Sequence, residues 1–330
     1  MIRILHGTNE IDTIRWLQLL LHSSVGSFFQ SPEAYSFFSG CDGMTSEAYG
    51  VEQDGQLQGV MVVTLYSEGG WHRRFTSRAI VNGGPLLDDN ISHEALLSLL
   101  SFVVGNLRKR CIYLETRNFN DYSRWRSTFL EAGFSYEPHF NFHITTDDKV
   151  DSRMDKGRRR KIRRARENGA TVSQDNSAIA AFHALLSDLY RTKIHKPLSP
   201  LAFFEELVKQ PFTHLFVVKD PAGNVIGGQL CVELSGKVLY SWFCCGLDSQ
   251  YHDLYPSIMA NYAAIRYAAD NGFSRLDMMG AGSPGDGGYG VRDFKAQFGG
   301  ALVEHGRFLH VFNHIVYFLG KQYIKLKSKQ

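Results

Sequence analysis

DGQLQGVMVV, Asp54 to Val63, and AGNVIGGQLC, Ala222 to Cys231, align without a gap. Gly55 falls over Gly223 and Gly59 over Gly227, both at an offset of 168 residues. Each stretch reads as a turn followed by a strand, with glycine where a positive φ or a close backbone approach is needed. A second pair lies downstream at nearly the same separation, with one inserted residue. FLEAGFSYEPH from Phe129 and FKAQFGGALVEH from Phe294 both read as a helix end, a glycine stop and a strand closing near Glu and His. Two landmarks at a common offset point to an internal duplication.

The elements between the landmarks repeat as well. Paired strands are expected over about 46–82 and about 213–246. A helix follows in each half, ISHEALLSLLSFVVGNLRK from Ile91 and YPSIMANYAAIRYAADNG from Tyr255. Next come a short strand, CIYLE or SRLDMM, then a second helix and a last strand. A meander followed by helix, strand, helix, strand is the order of the GNAT acyltransferase fold. The expected fold class is therefore α+β, two tandem GNAT-like domains, each a mixed sheet flanked by helices. The first domain is expected over 1–150, completed by a C-terminal helix at 311–330, and the second over 151–310.

Length and composition agree with two globular domains. The chain has 330 residues, of which 44% are hydrophobic and 21% charged, so a substantial core can form. The five cysteines show no metal-ligand spacing and read as buried thiols of a reducing compartment. The start lacks the charge order and cleavage site of a signal peptide. The longest apolar runs, ALLSLLSFVV and FLHVFNHIVYFLG, fall short of the ~20 residues that span a bilayer. A cytoplasmic protein is expected, with peripheral association at the inner face of the membrane left open.

In this order, several stretches resemble the Fem-type (FemABX) peptidoglycan aminoacyltransferases and their GNAT-like relatives. They are FFQSPEAYSFF, RRKIRRARENGATV, LYRTKIHKPLSPLAFFEEL, IGGQLCVELSGKVLYSWFCC, and YAAIRYAADNGFSRLDMMGAG leading to GVRDFKAQFGG. The resemblance implies transfer of an aminoacyl group from an aminoacyl-tRNA ester to an amine, with a cell-wall precursor as acceptor. It implies no tightly bound cofactor. The coiled-coil arm of some family members has no room here, because only about forty residues separate Gly169 from Pro211. Leucyl/phenylalanyl transferases also resemble this fold, so a protein N-terminus is another possible acceptor.

KGRRRKIRRAR, Lys156 to Arg166, places eight basic residues among eleven in a chain whose net charge is only +3. Gly169 and the strand-like ATVSQ after it make the run a helix, with Ile162 and Ala165 as a narrow apolar stripe. Such a run is often a solvated face. Like charges at helical spacing, however, repel by about 0.3 kcal/mol per close pair, and a nearby polyanion relieves this. Arginine forks suit phosphate, so Arg159, Arg163 and Arg166 are candidate phosphate-binding residues. The resemblance offers tRNA and a diphosphate-bearing precursor as the partner. A pure nucleic-acid-binding module remains an alternative, although no reader motif is visible.

An acyl-CoA enzyme of the GNAT class needs a glycine-rich loop whose N–H groups cradle pyrophosphate at a helix N-terminus. The corresponding stretch, GLDSQYHDLYPS from Gly246, has no further glycine and carries Asp248 and Asp253. VNGGPLLDDNIS in the first half has glycines but acids or amides before its helix. Coenzyme A is disfavoured on these grounds, with acyl-CoA-dependent N-acetylation kept as the alternative. For transfer to an amine, Lys295 is the best candidate partner of the oxyanion or of a carboxylate. The resemblance places its neighbour Phe294 at the donor or acceptor site; otherwise Lys295 is a surface lysine. Glu115 is a base or positioner, or only a partner of Arg117. Asp277 ends the corresponding strand of the second half. Tyr240 and Trp242 are a substrate platform or core. Tyr190, Lys193 and His195 match a family loop bordering the active site. GAGSPGDGGYG, Gly280 to Gly290, holds six glycines in eleven residues and is expected to be mobile.

Overall fold

Both glycine turns close antiparallel hairpins. The computed structural model describes residues 1–67 and 76–327. In the first half the chain forms β1 (Ile2–His6), α1 (Thr13–His22), α2 (Pro32–Ser39), β2 (Met44–Gln53) and β3 (Gln56–Tyr66). It continues through β4 (Arg78–Gly83), β5 (Leu86–Leu87), α3 (His93–Leu107), β6 (Tyr113–Asn118), α4 (Arg126–Glu131), β7 (Ser135–Glu137) and β8 (Phe140–Thr145). The second half begins with α5 (Val150–Arg153), α6 (Lys156–Glu167), β9 (Thr171–Gln174), α7 (Ile179–Leu189) and α8 (Leu201–Val208). After β10 (Thr213–Lys219), β11 (Val225–Leu234) and β12 (Val238–Gly246) come α9 (Pro256–Asp270), β13 (Arg275–Gly280) and α10 (Tyr289–Ala296). The chain ends with β14 (Ala301–Glu304), β15 (Arg307–Val311) and α11 (His314–Lys327).

The hairpin glycines adopt the left-handed conformation, with φ of +80° at Gly55 and +86° at Gly223. In the second turn Asp220 Oδ1 also accepts the N–H groups of Ala222 and Asn224, at 3.0 and 2.9 Å. Two mixed sheets result. One runs β1-β2-β3-β4-β6-β15-β7, with β5 also paired to β3, and the other runs β9-β10-β11-β12-β13-β8-β14. The two orders correspond position for position, so the duplication is real at the level of topology and the fold is a tandem GNAT-like α+β fold.

Each sheet takes its penultimate strand from the end of the other half. β15 lies between β6 and β7, and β8 lies beside β13. The compact units are accordingly residues 1–139 with 304–330, and 140–303. The division falls before 150 because β8 hydrogen-bonds to β13, pairing His143 with Asp277. It falls before 311 because β15 is an integral strand of the first sheet. Residues 328–330 of the expected C-terminal helix lie outside those described. Between Gly169 and Pro211 stand the two ordinary helices α7 and α8, and no coiled coil.

In unit one the core joins α3 to the sheet through Leu96, Leu99, Leu100 and Val103, together with Tyr49 and Phe129. In unit two α9 buries Ile258, Met259, Ala264 and Ile265 against Cys231, Leu239 and Leu276. Cys231 and Cys245 are buried, whereas Cys41, Cys111 and Cys244 are only partly so.

The basic run is the helix α6, and Ile162 and Ala165 are buried as its spacing requires. Arg158 is buried as well, 2% exposed. Its guanidinium stacks on Phe294 and Phe298, 4.6 and 4.4 Å from their ring centres, and Nη2 donates to Phe294 O at 3.0 Å. Burial pushes its pKa down to about 10. Arg158 therefore ties α6 to α10. Arg158→Ala is expected to cost about 2 kcal/mol, since it removes the aliphatic stem and the cation–π contacts together. Arg158→Met, which refills the slot without a buried charge, is expected to cost less. Chemical denaturation of the two variants measures this order.

Candidate functional site

In the first sheet the parallel pair β4 and β6 stays joined along its whole length, from Ala79 with Leu114 to Gly83 with Asn118. In the second sheet the matching pair β12 and β13 is joined only over Val238–Tyr240 and Arg275–Asp277. Beyond Tyr240 and Asp277 the strands part. Two local irregularities accompany the opening. β12 bulges at Trp242, because Cys231 pairs with Ser241 and Leu230 with Phe243. β13 shifts register after Asp277, and Met279 takes φ of +60°. Parted parallel strands leave backbone donors and acceptors without a ladder, and a substrate or a side chain must satisfy them.

Lys295 satisfies the β13 side. From α10 its ammonium donates to Met278 O at 2.6 Å and Gly280 O at 2.9 Å, with Met279 O at 3.4 Å. Two short bonds leave the third N–H weakly engaged. Burial pushes the amine down to about 8, against the pull of the Asp277 carboxylate. Asp277 is fully buried; its Oδ1 accepts the Met279 N–H at 2.7 Å, and its Oδ2 lies 3.2 Å from His143 Nε2. Lys295 and Asp277 thus stand at the end of the joined pair, and His143, from β8 on the other side of β13, backs the carboxylate. Burial raises the nearby Cys244 thiol to about 12, so it is no nucleophile at neutral pH.

The other candidates distribute as follows. Tyr240 is buried beside Asp277 on the last joined pair. Trp242 packs on Phe203 and Phe243, with ring centres 6.0 and 5.2 Å away, which makes it part of the α8 packing. Phe294 receives Arg158. Tyr190 and Lys193 lie on a single π-helical turn that ends α7, and exposed His195 follows in a left-handed conformation with φ of 53°. Burial raises the Tyr190 pKa. The glycine loop before α10 is an ordered turn: Asp286 accepts the N–H groups of Ser283 and Gly288 at 2.6 and 2.8 Å, and Arg292 Nε donates to Ala281 O at 2.8 Å.

Glu115 belongs to unit one. Its carboxylate takes Arg117 Nε at 2.9 Å and Arg307 Nη1 at 2.8 Å, and Arg307 Nη2 reaches His139 Nε2 at 2.9 Å. Burial pushes this carboxyl up, but the two guanidiniums outweigh it and hold the pKa below the usual value. A carboxylate held so firmly is a weak base.

On α6, Arg159 is exposed. Arg163 lies 3.7 Å from Glu167, and Arg166 sits over the Tyr262 ring at 5.1 Å. Arg164 pairs with Asp253 at 2.8 Å and Lys161 lies over Tyr255 at 5.6 Å. Aromatic rings and acids of α9 and its preceding loop thus absorb part of the charge.

Neither loop offers a pyrophosphate cradle. At the N-terminus of α9, Pro256 has no N–H, and Ser257 directs its N–H (3.1 Å) and hydroxyl to Asp248. A Cβ on Gly246 would meet Ser257 N at 2.6 Å, so the loop is packed against the helix. In unit one Tyr122 fills the space at the glycine pair, donating to Gly83 O at 3.2 Å and Pro85 O at 2.6 Å.

Sequence reasoning missed His143 and Arg158. His143 gave no signal, because β8 is separated from β13 by most of the second half. Arg158 did give one: it shares the i, i+4, i+7 phase of Ile162 and Ala165.

Comparisons with known proteins agree with this architecture. Residues 152–295 match the family described as acetyltransferase (GNAT) domain. No curated protein matches the chain by sequence. Among solved structures, FemX superposes with a TM-score of 0.73 at 16% identity, covering 96% of this chain and 99% of that one. A tandem GNAT protein from the clavulanic acid biosynthesis pathway gives 0.62 at 9% identity, covering 94% and 99%. The C-terminal domain of a lysylphosphatidylglycerol synthetase from Agrobacterium fabrum gives 0.57 at 12%, covering 94% of each chain. The chain shares the fold of these proteins, and residues 152–295, within its second unit, match a GNAT acetyltransferase domain.

The depressed pKa of Lys295 has a measurable consequence. In the unfolded chain the amine titrates near 10.5 and in the folded chain near 8. Between those values the unfolded state binds more protons, so this group makes stability rise with pH. Wild type is expected to gain stability relative to Lys295→Met as pH is raised from 8 to 10. A constant difference across that range, in urea titrations, would mean an ordinary surface amine.

Proposed function

We propose that the protein transfers an aminoacyl group from an aminoacyl-tRNA ester to the amine of a cell-envelope precursor. The observation that carries this reading is the opening between β12 and β13, bordered by Lys295, beside a helix N-terminus already occupied by Asp248. The opening suits an acyl group. The filled helix end disfavours coenzyme A, whose pyrophosphate would have to displace a carboxylate. The shared fold with FemX and a lysylphosphatidylglycerol synthetase domain supports the aminoacyl assignment.

The reaction asks little covalent work of the protein. The amine attacks the ester carbonyl, a C–N bond forms, and negative charge gathers on the carbonyl oxygen. The C–O bond to the ribose then breaks, and the proton lost by the amine is taken up by the departing ribose hydroxyl. Lys295, protonated below about pH 8, supplies the cation for the oxyanion. Asp277 keeps that cation from deprotonating further, and His143 braces Asp277. Arg159, Arg163 and Arg166 meet the tRNA backbone as phosphate partners. Tyr190, Lys193 and His195 are proposed to border the acceptor, and Glu115 with Arg117 to hold an acceptor-side strand in place.

A second reading, acyl-CoA-dependent N-acetylation, is favoured by the match of residues 152–295 to an acetyltransferase family. Assays with charged tRNA pools and with acyl-CoAs, each beside a cell-wall precursor, separate the two. Turnover with acyl-CoA alone would reverse the choice of donor.

Lys295→Ala is expected to lower kcat by ~10²-fold with the fold intact, the usual effect of removing one oxyanion partner. Unchanged kinetics would return Lys295 to a structural role. Replacing Arg159, Arg163 and Arg166 with alanine is expected to raise KM for the tRNA donor and flatten its salt dependence by about three charges' worth of slope. An unaltered salt slope would remove α6 from the donor site.

A further inference from the structure

The last helix, α11, carries an apolar stripe that remains in solvent. Ile315, Phe318 and Leu319 are 75%, 60% and 60% exposed. At i, i+3 and i+4 they share one face. The opposite side of the helix is docked within its unit. Tyr317 meets Tyr113 edge-on with ring centres 5.3 Å apart, and Lys321 Nζ lies 3.6 Å from Glu137. Asn313 Oδ1 accepts the Val316 N–H at 3.1 Å and caps the helix start. The stripe is therefore held facing outward by a structured base.

Charge says what covers it. From His314 to Gln330 the sequence holds four lysines and no acidic residue. Among the described residues no helix is long and apolar enough to cross a membrane. An exposed apolar stripe in a lysine-rich segment without acids, on a helix that does not span, is the pattern of an interfacial element. We propose that α11 docks on the surface of an anionic bilayer, with Ile315, Phe318 and Leu319 among the headgroups and the lysines against lipid phosphates. A second copy of the chain fits less well. A two-fold contact through the same face would bring the two lysine-rich segments together. The proposal does not depend on the transfer reaction.

The test is sedimentation of the full-length protein with phosphatidylcholine vesicles, with and without phosphatidylglycerol, across a salt series. Wild type is expected to bind only the anionic vesicles and to dissociate as salt rises. Phe318→Glu with Leu319→Glu is expected to weaken binding by at least about tenfold. Lys325→Gln with Lys327→Gln is expected to weaken it by at least about fivefold. Circular dichroism and an unchanged melting temperature show that each variant is folded. Three results would each overturn the proposal. Wild type remains in the supernatant at low salt; it binds neutral and anionic vesicles equally; or it forms a dimer that Phe318→Glu dissolves, which would assign the stripe to a second copy.

Discussion

Unit two is organised around the parting of β12 and β13 after Tyr240 and Asp277. Two neighbouring parallel strands ordinarily exchange every hydrogen bond between them, and breaking that ladder inside a sheet costs free energy for each orphaned group. Here the cost is met locally. Lys295 donates to the carbonyls of Met278 and Gly280, and Asp277 accepts the Met279 N–H. The opening is therefore a stable feature of the unliganded fold. The groups that stabilise it are also the groups with chemistry: an amine whose pKa is pushed to about 8, a fully buried carboxylate and an imidazole.

The amine is useful only if α10 holds it in place, and α10 is short. Eight residues make a marginal helix by themselves. Its anchoring comes from Arg158, whose guanidinium lies against Phe294 and Phe298 and bonds the Phe294 carbonyl. Phe294 is the residue immediately before Lys295, so the clamp acts one residue from that amine. One arginine of the basic helix thus serves the interior, while its neighbours at 159 and 160 face solvent. The high charge density of α6 has two causes that sequence composition merges, an internal anchor and an external face.

Most of the fold was legible because the repeat is written in backbone requirements. Gly55 and Gly223 need positive φ, and such positions survive when the surrounding side chains have diverged. The exchange of β8 and β15 was not legible. Each is an ordinary apolar strand, and nothing local says which of two equivalent sheets it joins. Lys295 could be singled out by the Phe-Lys pair of the family resemblance, and Asp277 by its place at a strand end. Their coupling to His143 could not, since a cross-strand partner delivered by exchange has no fixed sequence spacing. The turn inside the glycine-rich loop was not legible either, because the Asp286 and Arg292 bonds that close it depend on side-chain placement and not on glycine content.

The two units show how a duplicated frame can keep its topology and divide its tasks. In unit one β4 and β6 remain paired to their ends, Tyr122 occupies the glycine loop, and Glu115 is neutralised by two arginines. In unit two the equivalent strands diverge, and the polar groups at the opening are only partly engaged. The difference lies in strand pairing and in charge neutralisation at these positions. The shared topology sets the frame in both units, and the pairing beyond Tyr240 and Asp277, where one amine bridges two strand carbonyls, sets the second apart from the first.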